Sequence, residues 1–365
     1  MALRVLVVDD SALMRRHLTT LLKTAGFDVA VASNGREAVD QVVALRPDVV
    51  TLDVNMPEMD GLTALSLIMA ACPTPVVMVS SLTTQGAMAT LEALAMGAVD
   101  YIAKPEGTIS LSMGSIADDV VTKVKVAAMA KLRAKTKRPH VGSVREARER
   151  IADKAPRPTS RTGFGLVLIG VSTGGPRTLE EVLPELPADF PWPVLVAQHM
   201  PANFTSAFAA RMDRLCALRV KEVIKPEALE PGVIYVGRGG TDLTVGNRAG
   251  RLMVLARPET PDHLWHPSVD VLVESALVHV KPTDLIGVLL TGMGYDGAAS
   301  MTKIKEGGGR TIAESEETAV VFGMPMELIA RGGATIVLPA PQVADQLVRW
   351  TRGEQGEKRV MAAWP

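Results

Sequence analysis

The chain has 365 residues, more than a single hydrophobic core usually supports, so two domains are expected. Hydrophobic residues make up 47% of it, charged residues 22%, and the formal net charge is -1, which argues against a disordered chain and against an overall nucleic-acid-binding protein. Cys72 and Cys216 lie far apart in the sequence, so we expect no disulfide framework and a reducing compartment. The first residues turn acidic too early for a signal peptide and no apolar run reaches membrane-spanning length, so we expect a cytoplasmic protein without membrane insertion.

Residues 1–122 alternate between short apolar segments and helical patterns, which predicts an α/β domain with a doubly wound, five-stranded parallel sheet. The predicted strands are, in chain order, RVLVV, VAVAS, VVTL, VVMV and YIA. Polar residues follow these segments at their C-terminal ends, which is where open α/β sheets form their sites.

Three carboxylates stand at the ends of the first and third strands of this domain. Asp9 and Asp10 follow the first strand and Asp53 follows the third, so their charges would repel one another unless a hard cation such as Mg²⁺ lay among them. A cation there would neutralise phosphoryl oxygens while the Asp53 carboxylate attacks phosphorus. Ser80 and Lys104, at the ends of the fourth and fifth strands, would bond two further phosphoryl oxygens. The alternative that Asp9 and Asp10 only cap a helix explains neither Asp53 nor Lys104.

Residues 123–162 are predicted to be a basic interdomain linker. Thirteen lysines and arginines stand in the stretch from 123 to 161 against three acidic residues, with three prolines around a possible helix over 143–153. The segment is either a solvated tether or an electrostatic contact for an acidic partner or an anionic lipid surface, and its composition alone does not decide between these.

Residues 163–353 form a second predicted α/β domain, followed by a tail over 354–365. A mostly parallel sheet with a small antiparallel hairpin is predicted from the strands FGLVLIG, PVLVAQH, RVKEV, VIYVG, DLTVGNRAGRLMVL, LIGVLLTG, RTIAES and ATIVLP. Helices are predicted over 176–186, 203–216, 268–280, 297–307, 319–331 and 341–352.

Ser172 lies in Gly-Val-Ser-Thr-Gly, after the first strand of this second domain. Such a glycine-rich turn suits either a nucleophilic serine or a cradle for phosphate. A dinucleotide site would favour an acidic residue after the next strand, but that strand ends in Gln198 and His199. His199 could instead take the serine's proton, and Asp296, which follows the strand LIGVLLTG, could fix the histidine's tautomer.

The motifs Asp9-Asp10, Asp53-Val-Asn-Met-Pro, Ser80-Ser81 and Lys104-Pro105 resemble the receiver domain of two-component response regulators. The resemblance implies that Asp53 is the phosphoacceptor and that a sensor histidine kinase is the phosphodonor. It also implies Mg²⁺ ligands and switch residues: Asp9, Asp10, Asp53 and Asn55, the last through its main-chain carbonyl, for the metal, and Ser80, Tyr101 and Lys104 for the switch. The peptide bond before Pro105 is a candidate cis bond.

The motifs G-V-S-T-G-G-P, A-Q-H-M-P, H-P-S-V-D, T-G-M-G-Y-D-G and F-G-M-P resemble the catalytic domain of the chemotaxis receptor protein-glutamate methylesterases. The resemblance implies that Ser172 is the nucleophile, His199 the general base and Asp296 the residue that orients it. It also makes the main-chain N–H of Met293 an oxyanion candidate, although the Met293 side chain could equally belong to the core. The chain departs from the usual pattern at Asp242, at Val236–Gly240 and at Glu314. For His266, lining of the cleft and packing at a helix start are both open.

Together these patterns predict a phosphorylation-activated serine hydrolase that demethylates glutamyl methyl esters on chemoreceptors, with glutamine deamidation by the same acyl chemistry. Mg²⁺ is expected in the receiver and no cofactor for ester hydrolysis. Two rival functions are a receiver-controlled binding regulator and a hydrolase acting on a protein of a non-motility pathway. No recognition-helix unit follows the receiver, which argues against a DNA-binding regulator.

Overall fold

A computed structural model describes residues 2–81, 83–104, 109–130 and 165–352, with the backbone alone for 84 and 109–116. The first domain is a parallel sheet in the order β2-β1-β3-β4-β5, flanked by five helices. Its elements are β1 Arg4–Val8, α1 Ala12–Thr24, β2 Asp28–Ala32, α2 Gly35–Leu45, β3 Val49–Asp53, α3 Gly61–Ala71, β4 Val76–Ser81, α4 Thr84–Met96, β5 Asp100–Lys104 and α5 Ile109–Ala128.

Local sequence explains where the helices of this domain begin. Ser11, Asn34, Asp60 and Thr83 are the N-caps of α1 to α4, and each side chain accepts a hydrogen bond from a backbone N–H in the first turn. Because Ser11 caps α1, the carboxylates that precede it remain at the end of β1 for another role.

The second domain is built on a seven-stranded parallel sheet in the order β15-β14-β13-β6-β7-β10-β8, and a three-stranded antiparallel sheet in the order β11-β12-β9 packs beside it. Its strands are β6 Leu166–Val171, β7 Val194–Gln198, β8 Arg219–Val223, β9 Glu227–Ala228, β10 Val233–Gly237, β11 Thr241–Arg248, β12 Arg251–Pro258, β13 Leu285–Leu289, β14 Arg310–Glu314 and β15 Ile336–Leu338. Its helices are α6 Gly175–Val182, α7 Ala202–Leu215, α8 Val269–His279, α9 Ala298–Glu306, α10 Met324–Ala330 and α11 Ala340–Thr351, with 3₁₀ turns at Leu183–Glu185 and Pro282–Asp284.

The two α/β domains confirm the predicted fold class. The structure differs from the predicted elements in detail: α10 begins at Met324 rather than at 319, and α5 continues past 122 to Ala128. Most of the predicted linker, the possible helix over 143–153, Pro105 and the tail lie outside the described residues. None of the described helices is long and apolar enough to cross a membrane.

The two domains pack against each other through α4 and β5 of the first domain. Helix α4 contacts α6 and α7, and the rings of Tyr101 and Phe204 lie 4.4 Å apart. Thr173 Oγ1 donates a hydrogen bond of 2.7 Å to Asp100 Oδ2 across the same boundary. One continuous hydrophobic cluster includes buried side chains of both domains.

Candidate active site and phosphoacceptor site

The structure brings the predicted carboxylates of the first domain together with Lys104. Lys104 Nζ lies 2.8 Å from Asp53 Oδ2 and 3.0 Å from Asp9 Oδ2, and the carboxylate side chains of Asp9 and Asp53 are almost completely buried. Burial raises the pKa of Asp53, and the nearby charge of Asp9 adds to this, while Lys104 and the backbone N–H of Asn55 act in the opposite direction. Burial alone would lower the pKa of Lys104, but its bonds to Asp53 and Asp9 outweigh burial and raise it.

These carboxylates also fit a hard divalent cation. One oxygen each from Asp9, Asp10 and Asp53 lies within 4.8 Å of the others, and Asp10 is exposed at the rim of the pocket. An all-oxygen set with an open side suits Mg²⁺, which keeps several waters and binds through few carboxylates. Asn55 follows β3 in an exposed turn, and its backbone N–H bonds to the Asp53 carboxylate.

The other two predicted switch residues face away from solvent. The Ser80 hydroxyl is buried and lies 3.2 Å from the carbonyl oxygen of Gly86 in α4, to which it donates. Tyr101 is buried against Phe204, and burial raises the pKa of its hydroxyl well above the ordinary value. Both residues therefore touch elements that contact the second domain.

Ser172 stands directly after β6, in a turn that glycines make possible. Gly174 has φ of 78° and precedes α6, and a side chain at Gly292 would come within 2.7 Å of Ser172 Cβ. The Ser172 N–H donates to the Thr291 carbonyl, and Gln198 Nε2 donates to the carbonyl of Ser172. The sequence therefore places a half-buried hydroxyl at the carboxyl edge of the sheet with its backbone held on two sides.

His199 and Asp296 form a hydrogen-bonded pair at the same edge. His199 Nε2 lies 2.8 Å from Asp296 Oδ2, and both side chains are nearly buried. The carboxylate also accepts bonds from the Ser268 hydroxyl and from the backbone N–H groups of Val269 and Asp270, at the start of α8. Burial alone would raise the pKa of Asp296, but the bonds from His199 and from these N–H groups prevail and lower it.

The pairing leaves His199 Nδ1 as the nitrogen that can accept a proton. Nδ1 is buried and has no hydrogen-bond partner among the described residues, so the bond to Ser172 Oγ is not formed in this conformation. A loose contact between nucleophile and base is common before substrate binds. An ionised Asp296 at Nε2 keeps the proton there, which fixes the tautomer with a free lone pair on Nδ1.

Ser172 and His199 line a cleft of about 370 Å³ that both domains enclose. Met293 and His266 line it from the second domain, and it is closed on the other side by residues of the receiver: Leu94, Val99, Asp100, Tyr101, Asp119, Thr122, Lys123 and Val126. The cleft therefore lies between the receiver and the domain that carries Ser172 and His199.

Two residues of the site are assigned no role from the sequence. Trp265 stacks on the imidazole of His199, with ring centroids 5.5 Å apart and planes 3° apart, and Gln198 holds the carbonyls of both Ser172 and His199. An aromatic residue in a loop and an amide beside a histidine are too common to predict a site.

Glu314, one of the departures from the pattern, is buried and accepts hydrogen bonds from the backbone N–H of Thr291 and the hydroxyl of Thr318. Its role is to hold the backbone beside the serine turn.

The chain is similar to known proteins over nearly its whole length. A family model for the response regulator receiver domain matches residues 5–112, and one for the CheB methylesterase matches residues 167–347. A Rhodospirillum rubrum protein named protein-glutamate methylesterase/protein-glutamine glutaminase 3 is 57% identical over 354 residues, which cover 95% of this chain and 96% of that protein. A Rhodopseudomonas palustris protein of the same name, numbered 2, is 50% identical over 365 residues, covering 97% of this chain and all of that protein.

Among solved structures, the catalytic domain of the Thermotoga maritima CheB methylesterase is similar, with a TM-score of 0.50 and 39% sequence identity. The match covers 52% of this chain and 100% of that domain. Because identity of about half extends over nearly the full length of both curated relatives, the chain belongs to the family of protein-glutamate methylesterases/protein-glutamine glutaminases with an N-terminal receiver domain.

Proposed function

We propose that this protein hydrolyses glutamyl methyl esters on bacterial chemoreceptors, deamidates receptor glutamines by the same route, and is activated by phosphorylation of Asp53. The observation that carries the proposal is the buried His199–Asp296 pair beside Ser172, in a cleft that the receiver partly closes. Family membership supports the substrate class.

In the proposed reaction the Ser172 hydroxyl attacks the ester carbonyl while His199 Nδ1 takes its proton. Asp296 stabilises the resulting imidazolium through Nε2–H, and the main-chain N–H of Met293 is the candidate donor to the oxyanion. The imidazolium then protonates the leaving methoxide, or the leaving amine of a glutamine. Water, deprotonated by the same nitrogen, releases the acyl group as a glutamate and restores the serine.

The product differs from the substrate by one negative charge at each site. Carboxylates on neighbouring receptor helices repel one another, so the reaction changes the balance between alternative helix packings. This charge change is the physical reason why such an enzyme would serve sensory adaptation.

The receiver supplies the regulation in this proposal. A histidine kinase is the phosphodonor, and Mg²⁺ held by Asp9, Asp10, Asp53 and the Asn55 carbonyl would neutralise the phosphoryl oxygens. Lys104 is already beside Asp53 and would bond one phosphoryl oxygen, and the Ser80 hydroxyl would leave Gly86 to bond another. These residues bind and orient the phosphoryl group, whereas the ester chemistry belongs to Ser172.

Replacement of the nucleophile tests the proposal. Ser172→Ala should lower the release of radiolabelled methanol from methylated receptor membranes by about a thousandfold or more, because the remaining members of a triad contribute little without the nucleophile. Phosphorylation of Asp53 should be unchanged.

Ser206, exposed on α7, supplies a matched control, and Ser206→Ala should keep full activity. A Ser172→Ala protein that is folded and within about tenfold of wild type would exclude the assigned nucleophile.

A further inference from the structure

A second carboxylate–imidazole pair lies close to the proposed triad. His266 lines the cleft that contains Ser172 and His199, and Asp242 stands at the start of β11. His266 Nδ1 lies 3.0 Å from Asp242 Oδ1, and its Nε2 lies 3.2 Å from the carbonyl oxygen of His263. These two contacts hold the imidazole between the Asp242 carboxylate and the backbone of its own loop.

The position of the Asp242 carboxylate depends on this contact. Its side chain is almost fully buried, its Oδ1 also accepts the N–H of Ser268, and its Oδ2 has no hydrogen-bond partner among the described residues. Arg257 is opposite Asp242 in the β11–β12 pairing, but no hydrogen bond or ion pair joins the two side chains in the described part of the chain. Burial of a carboxylate is unfavourable unless it is hydrogen-bonded, so the contact with His266 stabilises Asp242 in this position. Asp242 also lines a second cavity together with Arg257 and Glu274.

His266 is joined directly to Trp265, the residue that covers His199. The indole is parallel to the His199 ring at 5.5 Å and meets the ring of Tyr295 edge-on, also at 5.5 Å. Gly294 leaves room for it, because a side chain at that position would come within 3.0 Å of the indole. Trp265 is thus fixed on one side by the backbone that His266 anchors and on the other by the loop that leads to Asp296.

The stacked indole has a physical effect on the proposed base. An aromatic face within about 6 Å of a cation stabilises it, and His199 becomes a cation when it takes the serine's proton. The same contact keeps the imidazole from rotating away from Asp296 and excludes water from one face of the ring. We propose that the Asp242–His266 hydrogen bond holds Trp265 against His199 and so positions the base for catalysis, an inference that rests on the proposed role of His199.

The test uses the full-length protein with Asp242→Asn, which keeps an acceptor for the Ser268 N–H but removes the charge. We expect kcat on methylated receptor membranes to fall about tenfold to a hundredfold, since misplacement of a catalytic group by about 1 Å costs that much, with KM within about twofold of wild type. Asp262→Asn, an exposed aspartate in the same loop, is the matched control and should leave both constants unchanged.

Imidazole ¹H–¹⁵N spectra give a readout that a purely structural role would not move. The chain has 6 histidines, and a His199→Asn variant assigns the signals of His199. The His199 signals should shift in Asp242→Asn, because the stacked indole of Trp265 moves relative to the His199 ring. His199 signals that are unchanged in Asp242→Asn, or an Asp242→Asn enzyme with unchanged kcat, overturn the proposal.

If Asp242→Asn does not fold, Trp265→Leu on the half-buried ring replaces it and should also lower kcat about tenfold, because the indole's contact with the imidazolium is lost. Full activity of that variant overturns the proposal as well. The outcomes are separable from the proposed function: a dispensable Ser172 rejects the triad, whereas an indispensable Ser172 with a dispensable Asp242 rejects only the positioning role.

Discussion

At the scale of single residues, the main feature of the site is a carboxylate that the fold keeps ionised. Asp296 receives four hydrogen bonds, three of them from residues at the start of α8, so its negative charge is stabilised although the side chain is buried. Among the described residues, no hydrogen bond fixes the Ser172 hydroxyl in this way. The fold therefore fixes the Asp296 carboxylate in position more completely than it fixes the Ser172 hydroxyl.

This arrangement predicts how stability depends on pH. Because the pKa of Asp296 is lowered in the folded state, its contribution to the free energy of unfolding is fully present above the ordinary aspartate pKa of about 3.9 and is lost as the pH falls through the folded value. Asp296→Asn lacks this titration. Its destabilisation relative to wild type, measured by urea unfolding followed at tryptophan, should be largest near pH 7 and shrink as the pH falls below about 4.

Asp345→Asn, on the exposed side of α11, is the control for the loss of one carboxylate from the surface. A destabilisation of Asp296→Asn that stays constant from pH 7 to the acid limb would mean that packing, not charge, is what the residue contributes.

The sequence was sufficient to predict Ser172, His199 and Asp296 as a group, because each follows a recognisable strand and parallel strands end at one edge of a sheet. It could not predict that Asp296 contacts Nε2 rather than Nδ1, since that depends on the rotamer of His199. Nor could it predict the stacking of Trp265, which depends on the path of a loop. The assignment of catalytic roles stays a prediction until the variants are measured.

At the scale of elements, β4 and α4 connect the phosphoacceptor to the second domain. The Ser80 hydroxyl, at the end of β4, donates a hydrogen bond to the carbonyl oxygen of Gly86 in the first turn of α4. Helix α4 in turn packs on α6 and α7. A phosphoryl group on Asp53 that drew the Ser80 hydroxyl away would release this bond. The helix that packs on the second domain is therefore the one whose first turn is bonded to Ser80.

Ser80→Ala should consequently uncouple phosphorylation from activity. We expect normal phosphorylation at Asp53 from a small phosphodonor with Mg²⁺, and a rise in esterase rate that is smaller than the wild-type rise, because the hydroxyl that would report the phosphoryl group is missing. The exposed Ser66→Ala on α3 serves as the matched control. A full rise in rate in phosphorylated Ser80→Ala would rule out this connection.

Element boundaries were predictable where capping residues or glycines mark them, and less so where tertiary contacts decide. The helix predicted over 319–331 starts only at Met324, because Gly292 forms a bridge with Phe322 and accepts bonds from the N–H groups of Gly323 and Met324. That loop packs against the serine turn, where a side chain at Gly174 would come within 2.6 Å of Val320. The tertiary contact, which no local pattern encodes, takes precedence over helical propensity here.

At the scale of the whole molecule, the receiver lies across the cleft in front of Ser172. Tyr101 packs on Phe204, and Asp100 accepts a bond from Thr173, the residue next to the proposed nucleophile. Burial raises the pKa of Asp100, with the charge of Lys123 and the Thr173 bond acting against it. The family resemblance implies that the receiver covers the triad, but neither domain's sequence pattern indicates which residues make the contact.

The shared cleft predicts that the receiver inhibits the enzyme until Asp53 is phosphorylated. Asp100→Ala should raise the demethylation rate of the unphosphorylated full-length protein, and deletion of residues 1–160 should raise it at least as much, since both remove contacts that favour the covered state. A tenfold rise requires only about 1.4 kcal/mol of differential stabilisation, which is comparable to one buried hydrogen bond and its packing. Asp40→Ala, an exposed aspartate on α2, should leave the rate at the basal level.

The same assay with and without phosphodonor separates inhibition from targeting. Asp53→Asn should stay at the basal rate in both conditions, while wild type should rise towards the rate of the truncated enzyme and not beyond it, because phosphorylation can only shift the population between covered and open states. A truncated enzyme no faster than the unphosphorylated full-length protein would contradict inhibition by coverage. The interface through Asp100 and Tyr101 would then serve to align the two domains on a receptor, and phosphorylation would act through receptor binding instead.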